Sequence, residues 1–389
     1  MNVPGQYRWA FLLLIIPTAC VTAGDWNEFA VYPGQDIQLA PDVFDGRIVW
    51  QQYAQLDQDW SWDIYGADLL DEQAPYPIEV ALYAADQEAP RIWGDFVVWQ
   101  DNSETDWDVY LTDISDAAAH LDYLLTPYLD DQARPAVHGN TVVWQHQIQD
   151  PDTGLLDWDI YAADVTDVSQ PSVYPVRSSM GNQQNPAVHR NTVVWQDDIY
   201  DDWDILGADI WLRNKPEIFS VSLTYQHQQY PAVSDKTVVW DEEFSGEDFD
   251  ILAADISNPA NPRIFAVTTD PNAQMNPDIW GHLVVWQDNR NGNWDIYGYN
   301  LITRQEFQIT NNSSDQTFPS VSGNLVVWED ERTTVTNIYA VWLDGPEIAV
   351  CSSRPDGDVD GNCRVDLNDF ISFAQNWLVC GLDVSQACL

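Results

Sequence analysis

Lysine is almost missing from this 389-residue chain, which holds only Lys215 and Lys236. All basic residues together number 15 against 62 acidic ones, for a formal net charge of −47. A surface this negative repels phosphate backbones and anionic headgroups, which argues against nucleic acid and charged membrane surfaces as partners. It favours cations, keeps the chain soluble, and is a balance that adaptation to salt also produces. Cysteine is scarce too: apart from Cys20, every copy lies within residues 351–389. Long apolar runs are missing beyond the N-terminus, so no later segment qualifies as a transmembrane helix.

Catalytic patterns are equally missing. The six histidines, His120, His138, His146, His189, His227 and His282, show no metal-ligand spacing. His138 and His189 occupy the same repeat slot just before a turn, which reads as drift in a surface loop. There is no Gly-x-Ser-x-Gly elbow and no phosphate-cradling glycine loop. Carboxylate pairs abound, but in so acidic a chain they identify nothing. A glycosidase needs two at a set separation.

What is present begins with an export signal. Arg8 precedes the apolar run Trp9 to Ile16, then Pro17, and Val21-Thr22-Ala23 fits a cleavage site before Gly24. The run is too short to span a bilayer stably. Cys20 offers lipid attachment as an alternative, although Pro17 stands where a leucine is usual. The mature chain is therefore expected outside the cytoplasm, secreted or at the cell surface.

The body of the chain is a repeat. Val-Val-Trp or a close variant ends at Trp50, Trp99, Trp144, Trp195, Trp240, Trp286 and Trp328, at intervals of 42 to 51 residues. Nine residues before each Trp stands a proline, from Pro41 to Pro319, with Val or Ile two residues later. Eight to fourteen residues after each Trp comes an element of the type Trp62-Asp63-Ile64-Tyr65, degraded in the last copy to Thr336-Asn337-Ile338-Tyr339. Pro-x-Val opens one strand, a Gly or Asp turn follows, and Val-Val-Trp-Gln makes a second strand apolar enough to be buried on both faces. Trp-Asp-Ile-Tyr is the third strand, and segments such as Gln305 to Thr310 supply the fourth. Four antiparallel strands every 40 to 50 residues are the pattern of propeller blades. The expected fold is all-β, a seven-bladed β-propeller over residues 24–350, after a signal peptide at 1–23. Two segments compete to complete the last blade, Glu28 to Val31 and Glu347 to Val350.

These motifs, Pro-x-Val, Val-Val-Trp-Gln-Asp, Trp-Asp-Ile-Tyr and Ala-Asp, resemble the TolB-type (WD40-like) propeller repeat of bacterial and archaeal surface proteins. The resemblance covers roughly residues 25 to 350 and implies a binding scaffold more often than an enzyme.

A glutamine precedes every blade proline by three residues: Gln38, Gln87, Gln132, Gln183, Gln228, Gln274 and Gln316. Seven amides near the channel mouth suit a ring that binds a sugar or peptide, but sevenfold identity favours satisfaction of backbone groups between blades. The recurring Asp of Trp-Asp-Ile-Tyr is read as capping a hairpin turn in preference to binding calcium.

The chain changes character at Cys351. Cys351, Cys363, Cys380 and Cys388 imply two disulfides, with three pairings open. Within this tail Asp358, Asp360, Asn362, Asp366 and Asp369 place side-chain oxygens at loop positions 1, 3, 5, 9 and 12, and Arg364 offers its carbonyl at 7. That is the spacing of an EF-hand-type Ca2+ loop. A helix is expected next, with Phe370, Phe373, Ala374 and Trp377 on one face. The segment resembles a dockerin-type calcium repeat, as found at the end of exported planctomycete proteins, and the resemblance implies a cohesin-like partner. It departs in having one repeat instead of two and Cys363 at position 6 where Gly is usual, while Asp369 at position 12 is shorter than the Glu of EF-hands but usual in dockerins.

Two functional classes follow. One is a secreted, non-catalytic binding protein whose propeller recognises an extracellular protein or polysaccharide and whose tail, residues 351–389, attaches it. The other is an extracellular carbohydrate-active enzyme, a polysaccharide hydrolase or lyase. The second should show a cluster of His, Arg and carboxylates that breaks the repeat. The long insertions after Trp50 and Trp144 are Asp- and Gln-rich and carry none.

Overall fold

The computed structural model describes residues 26–344, apart from 57–58, 70–76, 104–105, 117–119, 127–129, 150–153, 155, 200–201 and 247. The export segment, Cys20, the calcium-type loop Asp358 to Asp369 and the four tail cysteines all lie outside the described residues.

Seven four-stranded antiparallel sheets follow one another along the chain. Blade one comprises Ile37–Phe44, Arg47–Leu56, Asp59–Asp68 and Ile78–Ala81. Blades two to six repeat that order, and the first strands of neighbouring blades touch all the way round, blade seven against blade one included. The first strand of each blade is thus the innermost. Blade seven holds Gln316–Ser322, Leu325–Asp330 and Asn337–Trp342, and its outermost strand is Phe29–Ala30 from the N-terminal side. Of the two segments competing for that place, the N-terminal one completes the ring. Val31 N–H donates to the Ile338 carbonyl at 2.9 Å, and the Arg332 guanidinium bridges Asp330 and Glu28 at 2.6 and 2.5 Å while lying 4.3 Å over the Tyr339 ring. A contact between residues 304 apart in sequence thereby locks the circle.

Packing explains why Val-Val-Trp is repeated. Each second strand is buried on both faces, and all seven of its Trp residues are wholly buried. Among the described residues the buried apolar side chains form seven clusters, each shared by two consecutive blades. Trp99, for example, packs with Val49, Ile64 and Val80 of the preceding blade. A blade cannot hide both faces alone, so neighbours are a condition of folding. Removing one such indole costs about 3–5 kcal/mol.

A second device repeats in every blade. The residue before the blade proline has positive φ: Ala40, Ala89, Arg134, Asn185, Tyr230, Asn276 and Phe318 lie between 49° and 54°. At each of these points the first strand shifts register by one residue opposite the Trp. This is a β-bulge, and a proline suits its unpaired position because it has no N–H to satisfy. A left-handed conformation at a non-glycine residue costs about 1–2 kcal/mol. The bulge N–H is met by the previous blade. The side chain following each Trp accepts it: Glu329 from Ala40 at 2.7 Å, Gln51 from Ala89 at 2.8 Å, Gln100 from Arg134 at 2.9 Å, Gln145 from Asn185 at 3.1 Å. Gln196 from Tyr230, Asp241 from Asn276 and Gln287 from Phe318 continue the series at 3.0–3.1 Å. Leaving such a buried N–H unmet costs about 1–3 kcal/mol, so the clip offsets the strain it sits beside.

Five clips are amides and two are acids. Burial pushes Glu329 up to about 7 and Asp241 likewise to about 7. A carboxyl raised in the folded state contributes stability below its ordinary value near 4–4.5, and that contribution is lost as pH rises through about 7.

Two outcomes are expected. Gln196→Leu, which strips the acceptor from Tyr230 N–H, should lower unfolding free energy by about 1–3 kcal/mol in urea titration. Glu329→Gln should raise stability at pH 8 by on the order of 2 kcal/mol and flatten the fall between pH 5 and 8, with little effect at pH 4.5. An unchanged pH profile would show that Glu329 does not titrate as buried.

Candidate functional site

Antiparallel blades place the start of strands one and three and the end of strands two and four on the same side of the disc, here the upper face. The seven glutamines begin the innermost strands at that side, and all are fully buried. Their amide groups are turned to the protein. Gln38 Nε2 donates to the Tyr32 carbonyl at 2.8 Å and to Gln52 Oε1 at 3.1 Å, while its Oε1 accepts Ile338 N–H at 3.0 Å. Gln87 joins the Ala85 carbonyl, Asp101 and Tyr83 N–H. Gln132, Gln183, Gln274 and Gln316 each donate to the carbonyl two residues upstream. Gln228 donates to Ser222, Thr224 and Glu242. With no exposed surface, the seven amides offer a ligand no face.

The Asp of the third strand also does something other than cap a hairpin. In blades three and four it holds the loop leading into the next blade: Asp159 accepts Ser178 Oγ–H at 2.7 Å and Ser179 N–H at 3.1 Å, and Asp204 accepts Thr224 N–H at 3.1 Å. In blade six two hairpin residues do reach it, Asn291 at 2.8 Å and Asn293 at 3.3 Å.

Departures from the repeat gather along the axis. The residue after each blade proline is Asp42, Arg91, Ala136, Ala187, Ala232, Asp278 or Ser320. Three alanines leave room on one side, and four polar side chains face them from blades one, two, six and seven. Ser320 Oγ–H donates to Asp42 Oδ1 at 3.1 Å, Ile92 N–H to Asp42 Oδ2 at 2.7 Å, and Val321 N–H to Asp278 Oδ2 at 2.8 Å. Asp42 and Asp278 are surrounded by protein yet keep partial exposure, which places water-sized space between the inner strands. Burial raises Asp42 to about 6, with Asp278 adding repulsion and Arg91 opposing it. Burial raises Asp278 as well.

One end of this channel is stoppered. The last residues of the inner strands include Phe44, Trp93, His138, His189 and Trp280. The Trp93 ring lies 4.3 Å from Phe44, 3.7 Å from His138, 5.8 Å from Trp280 and 6.4 Å from His189, centroid to centroid. A blade-two side chain that meets blades one, three, four and six lies across the axis. His138 and His189, 4.3 Å apart, belong to this plug, so their reading as surface-loop drift is overturned. Burial lowers His138 to about 3 and His189 well below its usual value, and Arg190 adds to both shifts. His189 Nδ1 instead accepts Asp235 N–H at 3.0 Å, a neutral imidazole's role.

The upper face carries most of the exposed aromatic surface. Exposed aromatics number eight among the described residues, and six of them stand there: Trp60, Tyr83, Tyr225, Tyr230, Phe244 and Phe318. Tyr225 is 99% exposed and Phe318, on its bulge at the channel rim, 50%. Trp60 stacks on Tyr53 at 5.4 Å toward the tip of the long blade-one hairpin. Long hairpins rise here from blades one and three, as the insertions after Trp50 and Trp144 suggest, and also from blade five, where Thr237–Ser245 and Asp248–Asp255 extend the pair. Among the described residues no three of His, Cys, Asp or Glu converge in a metal-binding group.

No protein-family model and no curated protein matches the sequence. Solved structures do match. The chain is similar to oligogalacturonate lyase from Vibrio parahaemolyticus, at 12% identity and TM-score 0.61, over 85% of this chain and 97% of that one. It is similar to a Mycobacterium tuberculosis puromycin-hydrolyzing peptidase, at 13% identity and TM-score 0.59, over 83% of this chain and 55% of that one. The chain thus spans about half the length of the peptidase. TolB from Acinetobacter baumannii also matches, at 14% identity and TM-score 0.47, over 71% of this chain and 66% of its own. Identities this low show the propeller fold alone.

Trp93→Ala should open the plug to water. In NMR titration His138, at about 3 in the intact protein, should then move toward the free value near 6.5. Because a depressed histidine contributes stability above 6.5 that is lost as pH falls, the variant should also lose stability less steeply below pH 6. A His138 that already titrates near 6.5 in the unmodified chain would contradict the plug.

Proposed function

We propose that this chain is a secreted, non-catalytic binding protein whose upper propeller face recognises an extracellular protein or polysaccharide. The observation that supports this is the asymmetry of exposed aromatics, six of eight on one face of an otherwise acidic molecule. Large rigid rings anchor ligands at low entropic cost, and apolar surface gathered on one face marks an interaction site where scattered single side chains would not. The tail supplies attachment: Asp358, Asp360, Asn362, Arg364, Asp366 and Asp369 would hold Ca2+ through hard oxygen donors, with a cohesin-like module as the partner class.

A second reading, an extracellular carbohydrate-active enzyme, is favoured by one feature. Asp42 and Asp278 flank Ser320 in the channel, and an Asp42 carboxyl at about 6 lies in the range of a general acid.

A glycan array and an immobilised-protein screen, run beside hydrolase and lyase assays on neutral and acidic polysaccharides, separate the two. Saturable binding without turnover is the expected result. Turnover abolished by Asp42→Asn would replace the first reading with the second.

A further inference from the structure

We infer that the upper face takes a lysine- and arginine-rich polypeptide as its ligand, a refinement that rests on that face being the recognition platform. Charge is distributed as unevenly as the aromatics. Seven of the twelve described basic residues sit at the lower turns or the outer rim: Arg47, Arg190, Lys236, and Arg213, Lys215, Arg263 and Arg304. The upper face has four, and three of those are already held. Arg290 is gripped by Asp288 at 2.5 Å and Glu306 at 2.6 Å, Arg332 by Asp330 and Glu28, and Arg177 lies 4.0 Å from Asp197. Arg134 is the one exposed cation left there among the described residues. Carboxylates are plentiful at the same level, with Asp86, Asp130, Asp198, Asp202, Asp270 and Glu331 all partly or fully exposed.

The molecule shows how such a surface holds a cation. Arg290 lies 4.3 Å over the Tyr297 ring with a carboxylate on either side, and Arg332 lies 4.3 Å over Tyr339 in the same arrangement. A ring face plus flanking carboxylates is a cation socket, built twice with internal arginines. Tyr225, Tyr230, Phe318 and Trp60 are exposed on the same face as those carboxylates, and among the described residues the only rings with an arginine over them are Tyr297 and Tyr339. A basic segment supplies what they lack. An anionic glycan meets repulsion instead, and a neutral one gains nothing from the charge.

The test uses the full-length protein and a labelled twenty-residue oligolysine, with oligoglutamate and a neutral glucan oligosaccharide as parallel probes. One variant carries Tyr225→Ser, Tyr230→Ser and Phe318→Ser. A control carries the lower-face pair Trp211→Ser and Trp342→Ser. Thermal unfolding verifies that both fold. Oligolysine should bind, more weakly as salt rises, and the upper-face variant should lose on the order of tenfold in affinity at fixed salt. The control should stay within about twofold of the unmodified chain. Equal binding by both variants would reduce the attraction to bulk charge and overturn the inference. Glucan binding lost in the upper-face variant, with oligolysine unaffected, would keep the platform and overturn the ligand class. Binding of no probe and no screened ligand at that face would overturn both.

Discussion

The hydrogen bond from a bulge N–H to the side chain after the preceding blade's Trp is the contact on which this propeller depends. It occurs seven times, once per interface, and joins the innermost strand of one blade to the core strand of its neighbour. The buried tryptophans supply more free energy, but apolar contact is non-directional and tolerates a slipped register. The clip is directional. It fixes where the left-handed residue falls, and so where the following side chain enters the channel. Asp42, Arg91 and Asp278 are placed by that geometry. Even the ring closure uses it, because Ala40 of blade one is held by Glu329 of blade seven.

Much of this was legible in the sequence. The spacing of proline, Trp and Trp-Asp-Ile-Tyr fixed seven blades and four strands each, because one buried strand per blade must look the same in every copy. The clip was visible as a letter and not as a function. Gln follows Trp in five repeats, with Asp241 and Glu329 in the others, and only the folded bulge shows what those oxygens accept. The seven upstream glutamines drew attention because they are invariant, yet invariance in a ring marks the shared interface. His138 and His189 went the other way. They lie in a slot whose other occupants include Phe44, Trp93 and Trp280, and an aromatic-rich slot next to a tight turn was the available signal that it points inward. Closure by residues 29–30 was one of two options, and two short strands of similar pattern carry no information about which end reaches the gap.

A repeat protein separates architecture from function more cleanly than most. Sevenfold features build the ring, and single-blade features have no architectural reason to exist. By that criterion the functional content lies in the stoppered channel, the polar quartet above the plug and the aromatic upper rim. With 62 acidic residues in the chain, carboxylates occupy buried sites where neutral groups serve elsewhere, as Asp241 does among the clips. Their raised pKa values make the fold sensitive to pH near neutrality.

The clip itself is open to direct measurement. Native-state hydrogen exchange should find the amides of Ala40, Ala89, Arg134, Asn185, Tyr230, Asn276 and Phe318 all protected to the level of global unfolding, despite their irregular backbone and proximity to the channel mouth. Rapid exchange at these seven positions, with the adjoining strand amides still slow, would show that the bulge N–H groups meet water and that the blades are joined by apolar packing alone.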